Sequence, residues 1–306
     1  MPQAQLQREY SPSSCIGGNY QPFIKAYRSR SNEARARCEA LGASWSQRRY
    51  GPGAAQTLEL CLPAGAASAK PRPGLLFFIH GGYWQELSAQ DSLFAASACI
   101  EPGHAFAALD YTLAPKATVQ QIVAECRQST AWLFAHADEL GFDAKRVVVA
   151  GSSAGAHLAA MVARQPWPDG ATPHAGRVRA VVLVSGIYDL EPLVGTDINQ
   201  ALGLDPAAAR RVSPALQDLA NFPPSIVCWG EIETAEFKRQ GQDFASALQG
   251  VGAHCASFEL AARNHFDAIL DLTDASTRLG RATLALLQDA ALDPVHPETS
   301  AHASAP

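Results

Sequence analysis

The sequence predicts an α/β fold: one mostly parallel sheet with helices on both faces and a small cap excursion above it. Three observations carry that prediction. Strand-like and helix-like stretches alternate along most of the chain. "LLFFIH" (75–80) and "RVVVAG" (146–151) are continuous apolar runs, as strands covered on both faces require. At "GSSAG" (151–155) such a strand runs into an alanine-rich helix through a very short turn.

The elements follow in order. Residues 1–50 are polar and are expected to form an N-terminal extension packing on the core; covering a pocket and mediating a homodimer stay open as alternatives. Within them, "SNEARARCEALG" predicts a short helix capped by Ser31 or Asn32 and stopped by Gly42. "AQTLELCLP" alternates like a half-buried strand and ends at Pro63. A turn-rich connector (64–74) leads to the strand at 75–80. "HAFAALDY" is a strand, and 118–137 is a helix with apolar side chains at 3–4 spacing. The strand at 146–151 precedes the helix "AGAHLAAMVARQ". "RVRAVVLVSG" and "PSIVCWGE" are strands, 235–249 is a helix, "HCASFEL" is a strand, and 265–292 is read as helix throughout. Residues 186–224 break the rhythm with several prolines and short helical fragments, and form the cap excursion. It is expected above the strand ends, where ligands bind in open α/β sheets. The core domain is thus 51–292, followed by a mobile Pro/Ser/Ala-rich tail at 293–306.

Composition excludes several classes. Of 306 residues, 47% are apolar and 17% charged, enough for a large buried core. The net charge of −5, with no basic block, gives no nucleic acid a footing. No apolar run approaches the roughly 20 residues of a membrane span. "MPQAQLQREYSPSSC" lacks the apolar core of a signal peptide, so the cytoplasm is the expected location. The seven cysteines are scattered without a C-x-x-C pair, which predicts reduced thiols and no zinc site. No cofactor or metal is expected, and the expected partner is a small-molecule substrate.

"GSSAG" fits G-x-S-x-G with Ser153 in the middle, on a strand-to-helix turn that projects the hydroxyl above the sheet. The plain reading is a helix-capping serine. A nucleophile also needs a base, an acid and oxyanion donors, with chain order Ser, acid, His. His265 lies after the last strand, where the base belongs; His157 and His254 are less suitably placed. The acid should follow "SIVCWG". Glu233, at the crown of the loop, is favoured over Glu231, and Glu236 lies too far into the helix. "HGGYW" (80–84) follows a buried strand, so Gly81 and Gly82 are the expected oxyanion donors, with Ala154 as a third. His80 would orient that loop. Tyr83 and Trp84 either wall a flat substrate or pack against the sheet. Tyr188, with Asp189, is a further pocket candidate, and Asn264 could position the loop beside the base.

Taken in order, "HGGYW", "LDYTLAP", "GSSAGAHLAA", "SGIYDLEPL", "SPALQ", "GEIETAEFKRQ" and "RNHF" make the chain similar to the α/β-hydrolase superfamily. It resembles the branch of hormone-sensitive-lipase-like esterases and, more closely, the kynurenine formamidases (arylformamidases), from about residue 45 to 290. The resemblance implies hydrolysis of N-formyl-kynurenine to kynurenine and formate, with the acid at Glu233. It also admits a carboxylesterase or amidase acting on another small aryl substrate. A non-catalytic binding module of the same fold is the remote alternative.

Overall fold

A computed structural model describes residues 1–164 and 178–288. Eight strands form one sheet: β1 (Ser44–Arg49), β2 (Thr57–Leu62), β3 (Leu75–Ile79), β4 (Ala105–Leu109), β5 (Val147–Ser152), β6 (Val178–Val184), β7 (Ser225–Ile232) and β8 (Cys255–Asn264). The spatial order is β1-β2-β4-β3-β5-β6-β7-β8. β2 runs antiparallel to both its neighbours, and every other pairing is parallel.

The continuous apolar runs are central strands because both faces are covered. Leu75, Phe77 and Ile79 of β3 point into one core, with α4 (Val119–Leu140), α5 (Ala154–Ala163) and α8 (Ala235–Gly250). Leu76 and Phe78 point into the other, with α3 (Ala96–Ile100), α9 (Arg278–Leu287) and part of α2 (Gln21–Ala40). Such two-sided burial follows from the period of two along a strand. α4 starts at a reciprocal Thr118–Gln121 capping box and stops at Gly141 in the left-handed region. Among the described residues no helix is long and apolar enough to cross a membrane.

Three expectations change. The helix read from Ser31 begins ten residues earlier, at Gln21 with Pro22 in its first turn, and passes through Ser31 and Asn32. Ser31 is buried, and its hydroxyl accepts the Leu93 N–H at 2.9 Å, so it anchors a neighbouring segment instead of capping. Residues 44–49, placed in the polar extension, form the edge strand β1 against β2. The helix read over 265–292 is broken: a 3₁₀ turn covers Ala268–Thr273, and α9 starts only after Thr277. The cause is the short polar run between them. Asp274 accepts the Ser276 N–H, and Thr277 accepts the Gly280 N–H, so side chains take over backbone bonds and a new cap forms. The tail at 293–306, residues 289–292 and Gln165 lie outside the described residues.

The excursion consists of a 3₁₀ turn (Glu191–Gly195), α6 (Asn199–Leu202), α7 (Pro206–Arg211) and a second 3₁₀ turn (Pro214–Leu216). α1 (Gln3–Glu9) reaches it: the Gln3 side chain donates to the Gly195 carbonyl, and Gln7 Oε1 accepts the Asp197 N–H at 2.9 Å.

Candidate active site

β5 ends at Ser152 and α5 begins at Ala154, so Ser153 is the whole connection. Its backbone lies at φ 56 and ψ −121, which costs a non-glycine residue about 1–3 kcal/mol. Close packing imposes the turn. A Cβ on Gly155 would overlap the Ile79 carbonyl oxygen and lie 2.7 Å from that of His80. A Cβ on Gly151 would run into the Gly155 backbone. The Ser153 N–H donates to the Val184 carbonyl at 2.9 Å. Its side chain makes no capping bond, and the residue lines a cavity of about 400 Å³.

His265 follows β8 and lines the same cavity. Its Nδ1–H donates to Glu233 Oε2 at 2.9 Å, which leaves Nε2, on the opposite side of the ring, as the lone-pair nitrogen. Phe237 meets the ring edge-on, with centroids 4.5 Å apart. Asn264 does shape this loop: its Oδ1 accepts the Phe266 and Asp267 N–H groups, and its Nδ2 donates to Asp267.

Glu233 sits between β7 and α8 with its side chain fully covered. Its Oε1 accepts the Ser185 hydroxyl at 2.5 Å and the Gly230 N–H at 2.6 Å. Glu231 is exposed and accepts the Ala262 N–H at 2.7 Å, away from His265. Glu236 binds Arg239 and the Tyr10 hydroxyl.

The loop after β3 packs against Ser153. A Cβ on Gly81 would stand 2.7 Å from the Ser152 carbonyl oxygen and 3.3 Å from Ser153 Cβ. His80 orients the loop: its Nδ1–H donates to the Gly81 carbonyl at 3.0 Å and its ring stacks on Tyr111 at 4.3 Å. Burial pushes His80 down to about 4, so it is neutral at neutral pH. Gly82, Tyr83 and Trp84 all hold positive φ, at 87, 48 and 60. Among the described residues, the Gly81 and Gly82 N–H groups donate to no protein acceptor. Ala154 opens α5, where helical N–H groups have no partner within the helix.

Tyr83 lines the cavity, with its hydroxyl donating to the Tyr10 carbonyl at 2.6 Å. Trp84 does not. It is fully buried, edge-on to His157, because the loop turns its large apolar ring inward. Tyr188 is likewise buried, stacked on Phe244 at 4.1 Å, and lines no part of the cavity. Both expectations of substrate contact are therefore corrected: burying these rings removes more apolar surface from water than a pocket wall would. Asp189 lies beside Tyr188, its N–H bound to Gln240.

Further aromatic residues build the remaining wall. Tyr10, Tyr20 and Tyr27 come from the N-terminal segment, Phe78 and Phe94 from the core, and Phe266 follows the histidine. Ser185, which grips Glu233, carried no local signal, since its partner is 48 positions away. Among the described residues no group of His, Cys, Asp and Glu could hold a metal ion.

Comparison with known proteins adds the kinship. A family model, BD-FAE, matches residues 58–248, more than half the chain. The chain belongs to the BD-FAE family. This BD-FAE chain is 29% identical over 293 residues to a kynurenine formamidase of Danio rerio, spanning 94% of itself and 97% of that relative. A candidate thioesterase of Silicibacter sp. TM1040 superposes with a TM-score of 0.76 at 26% identity, over 93% and 99% of the two chains. The propionate-bound esterase Est2 of Thermogutta terrifontis gives a TM-score of 0.64 at 25% identity, over 82% and 97%. The α/β-hydrolase fold and the arylformamidase–esterase branch expected from the motifs are thereby borne out.

Proposed function

We propose that this chain is a serine hydrolase that cleaves a small aryl formamide, N-formyl-kynurenine first among them, through an acyl-enzyme. The observation that carries the reading is the buried Glu233–His265 bond beside the same small cavity as the strained Ser153 turn. His265 Nε2 takes the Ser153 proton as the hydroxyl attacks the acyl carbon. Glu233 keeps the proton on Nδ1 and stabilises the imidazolium. N–H groups of Gly81, Gly82 and Ala154 bind the oxyanion. His265 then protonates the leaving amine, and water releases formate. The aromatic wall suits an aryl leaving group. The Danio rerio relative's name, kynurenine formamidase, supports the substrate, and the structural neighbours support hydrolase chemistry.

The test is kcat/KM for N-formyl-L-kynurenine against 4-nitrophenyl acetate and butyrate, on the wild type and Ser153→Ala. The formamide should turn over at about 10⁴ M⁻¹s⁻¹ or faster, and the variant should lose at least about 10³-fold. A second reading, a carboxylesterase, is favoured by the propionate-bound neighbour; turnover of the esters alone would select it. A chain that hydrolyses neither and resists a fluorophosphonate at Ser153 would be the non-catalytic module.

A further inference from the structure

The serine mechanism has no use for His157, yet this histidine is wholly buried one helical turn after Ser153. Both ring nitrogens are committed. Nδ1 accepts the Trp84 indole N–H at 3.3 Å, and the two rings meet at 84° with centroids 5.1 Å apart. Nε2 lies 2.6 Å from the Val212 carbonyl, which can only accept, so Nε2 carries the proton. One imidazole therefore joins three parts that are remote in sequence: the helix that starts behind Ser153, the loop after β3, and the cap excursion just past α7.

The loop needs such a tie. Gly82, Tyr83 and Trp84 take positive φ in succession, and two of them are not glycine. The turn is closed by the Gln85 and Glu86 N–H groups on the Gly82 carbonyl at 2.9 and 3.0 Å. Trp84 is the side chain that carries the far end of this turn into the core, and its carbonyl accepts the Ala114 N–H at 2.8 Å. Backbone strain of this kind persists only where the surroundings over-determine it.

We infer that His157 is a positioning residue: by accepting the Trp84 indole N–H it holds the Gly81–Trp84 loop in register with Ser153, and the Val212 carbonyl fixes the tautomer that lets it do so. The inference rests on the proposed function for its kinetic meaning and on geometry alone for the tie. Burial, with Arg127 nearby, lowers His157 to about 4, so the ring stays neutral and keeps an acceptor for Trp84 at working pH. Protonation would set N–H against N–H.

The experiment uses the full chain with Trp84→Phe, His157→Leu, His157→Gln and the double variant Trp84→Phe/His157→Leu. Steady-state kinetics on 4-nitrophenyl acetate are read beside the inhibition constant of phenylboronic acid, whose serine adduct occupies the oxyanion position. Trp84→Phe and His157→Leu should each lower kcat about 10- to 100-fold, the loss that a small misplacement of a reacting group causes. KM should move by less than about threefold, since uniform binding is untouched. Boronate affinity should fall in step with kcat, and the double variant should be no worse than the worse single one. Gln, which has one acceptor and one donor to offer, should recover most of the loss. Should His157→Leu fail to fold, Trp84→Phe and His157→Gln decide. Unchanged kcat in Trp84→Phe, or additive losses that follow melting temperature with the boronate unaffected, overturns the inference. A ¹⁵N spectrum tests the tie without catalysis: His157 should be the Nε2–H tautomer between pH 5.5 and 8, and an Nδ1–H or cationic ring overturns it. A wild type that turns over neither esters nor N-formyl-L-kynurenine and does not bind the boronate defeats the proposed function instead, and the tautomer then decides the tie by itself.

Discussion

Replacing Glu233 by Gln isolates the electrostatic part of the site with almost no change of shape. Oε1 of Glu233 receives two donors, the Ser185 hydroxyl at 2.5 Å and the Gly230 N–H at 2.6 Å, while Oε2 faces His265 Nδ1 at 2.9 Å. An amide must therefore keep its oxygen toward Ser185 and Gly230. Its NH₂ then points at Nδ1, which can only accept, so the proton moves to Nε2 and the base loses the lone pair that would take the serine proton. The reversed amide would oppose the Gly230 N–H with another donor in a fully covered site, a penalty of about 1–3 kcal/mol. The wrong tautomer should dominate, with a loss of about 10⁴ in kcat, the size of effect that the matching acid-to-amide change has in a Ser-His-Asp protease. That is about 5.5 kcal/mol of barrier. Stopped and steady-state kinetics on 4-nitrophenyl acetate measure it, with circular dichroism to check folding. Glu231→Gln is the control and should stay within twofold, because that side chain is exposed and, among the described residues, binds only the Ala262 N–H. A Glu233→Gln enzyme within tenfold of wild type would refute the assignment of the acid.

Four further outcomes are expected. Gly81→Ala forces a Cβ to 2.7 Å from the Ser152 carbonyl oxygen, so kcat should drop about 100-fold as the loop and the serine part; a near-normal kcat would mean that the loop donors are not used. The residues lining the cavity include Glu86 and Asp197 but, among the described residues, no Lys or Arg. An aryl ester bearing a carboxylate should therefore show kcat/KM about 3- to 10-fold below its neutral isostere, with the gap shrinking in salt and in Glu86→Gln; equal rates would contradict this. Tyr20→Ala, which opens the wall stacked on Phe266 at 5.5 Å, should raise KM and spare kcat. Stability should also fall in mild acid. Burial lowers His80 and His157 from 6.5 to about 4, so between those values the unfolded chain binds protons that the folded chain refuses. Their contribution is complete above pH 6.5 and is lost as pH falls to 4, on the order of 3 kcal/mol for each ring. Urea midpoints at pH 7.5, 5.5 and 4.5 check it, and a flat profile would count against both burials.

Much of this was legible in the sequence, for identifiable reasons. Central strands such as β3 and β5 announce themselves because burial on both faces leaves nothing but apolar side chains. Ser153, Glu233 and His265 could be picked because each stands at a strand end, where a parallel sheet gathers its loops. β1 escaped because an edge strand reading "SWSQRR" meets solvent along its length and has no apolar pattern to show. The start of α2 escaped because Ser31, a good cap in isolation, is consumed by a tertiary bond to Leu93. Trp84 and Tyr188 show the limit most clearly: an aromatic beside a motif reads the same whether it faces a ligand or the core, and only the direction of the turn separates the two. Ser185 was out of reach because its role exists only through a partner in another strand's loop.

The N-terminal segment carries a consequence for how this chain reaches its working state on the ribosome. Tyr10 is made long before its partner: its hydroxyl is held by Gln240, 230 positions later, and Tyr27 closes on the Phe266 carbonyl. At translation rates of about 5–20 residues per second, those tyrosines wait roughly 10–50 s for their partners. The sheet can assemble around β3, β4 and β5 in the meantime, but the cavity has no wall on that side. Birth order and contact order are thus separated at the site: the wall's tyrosines leave the ribosome more than 200 positions ahead of the residues that hold them, and the nascent protein has no finished pocket until residue 266 has been added.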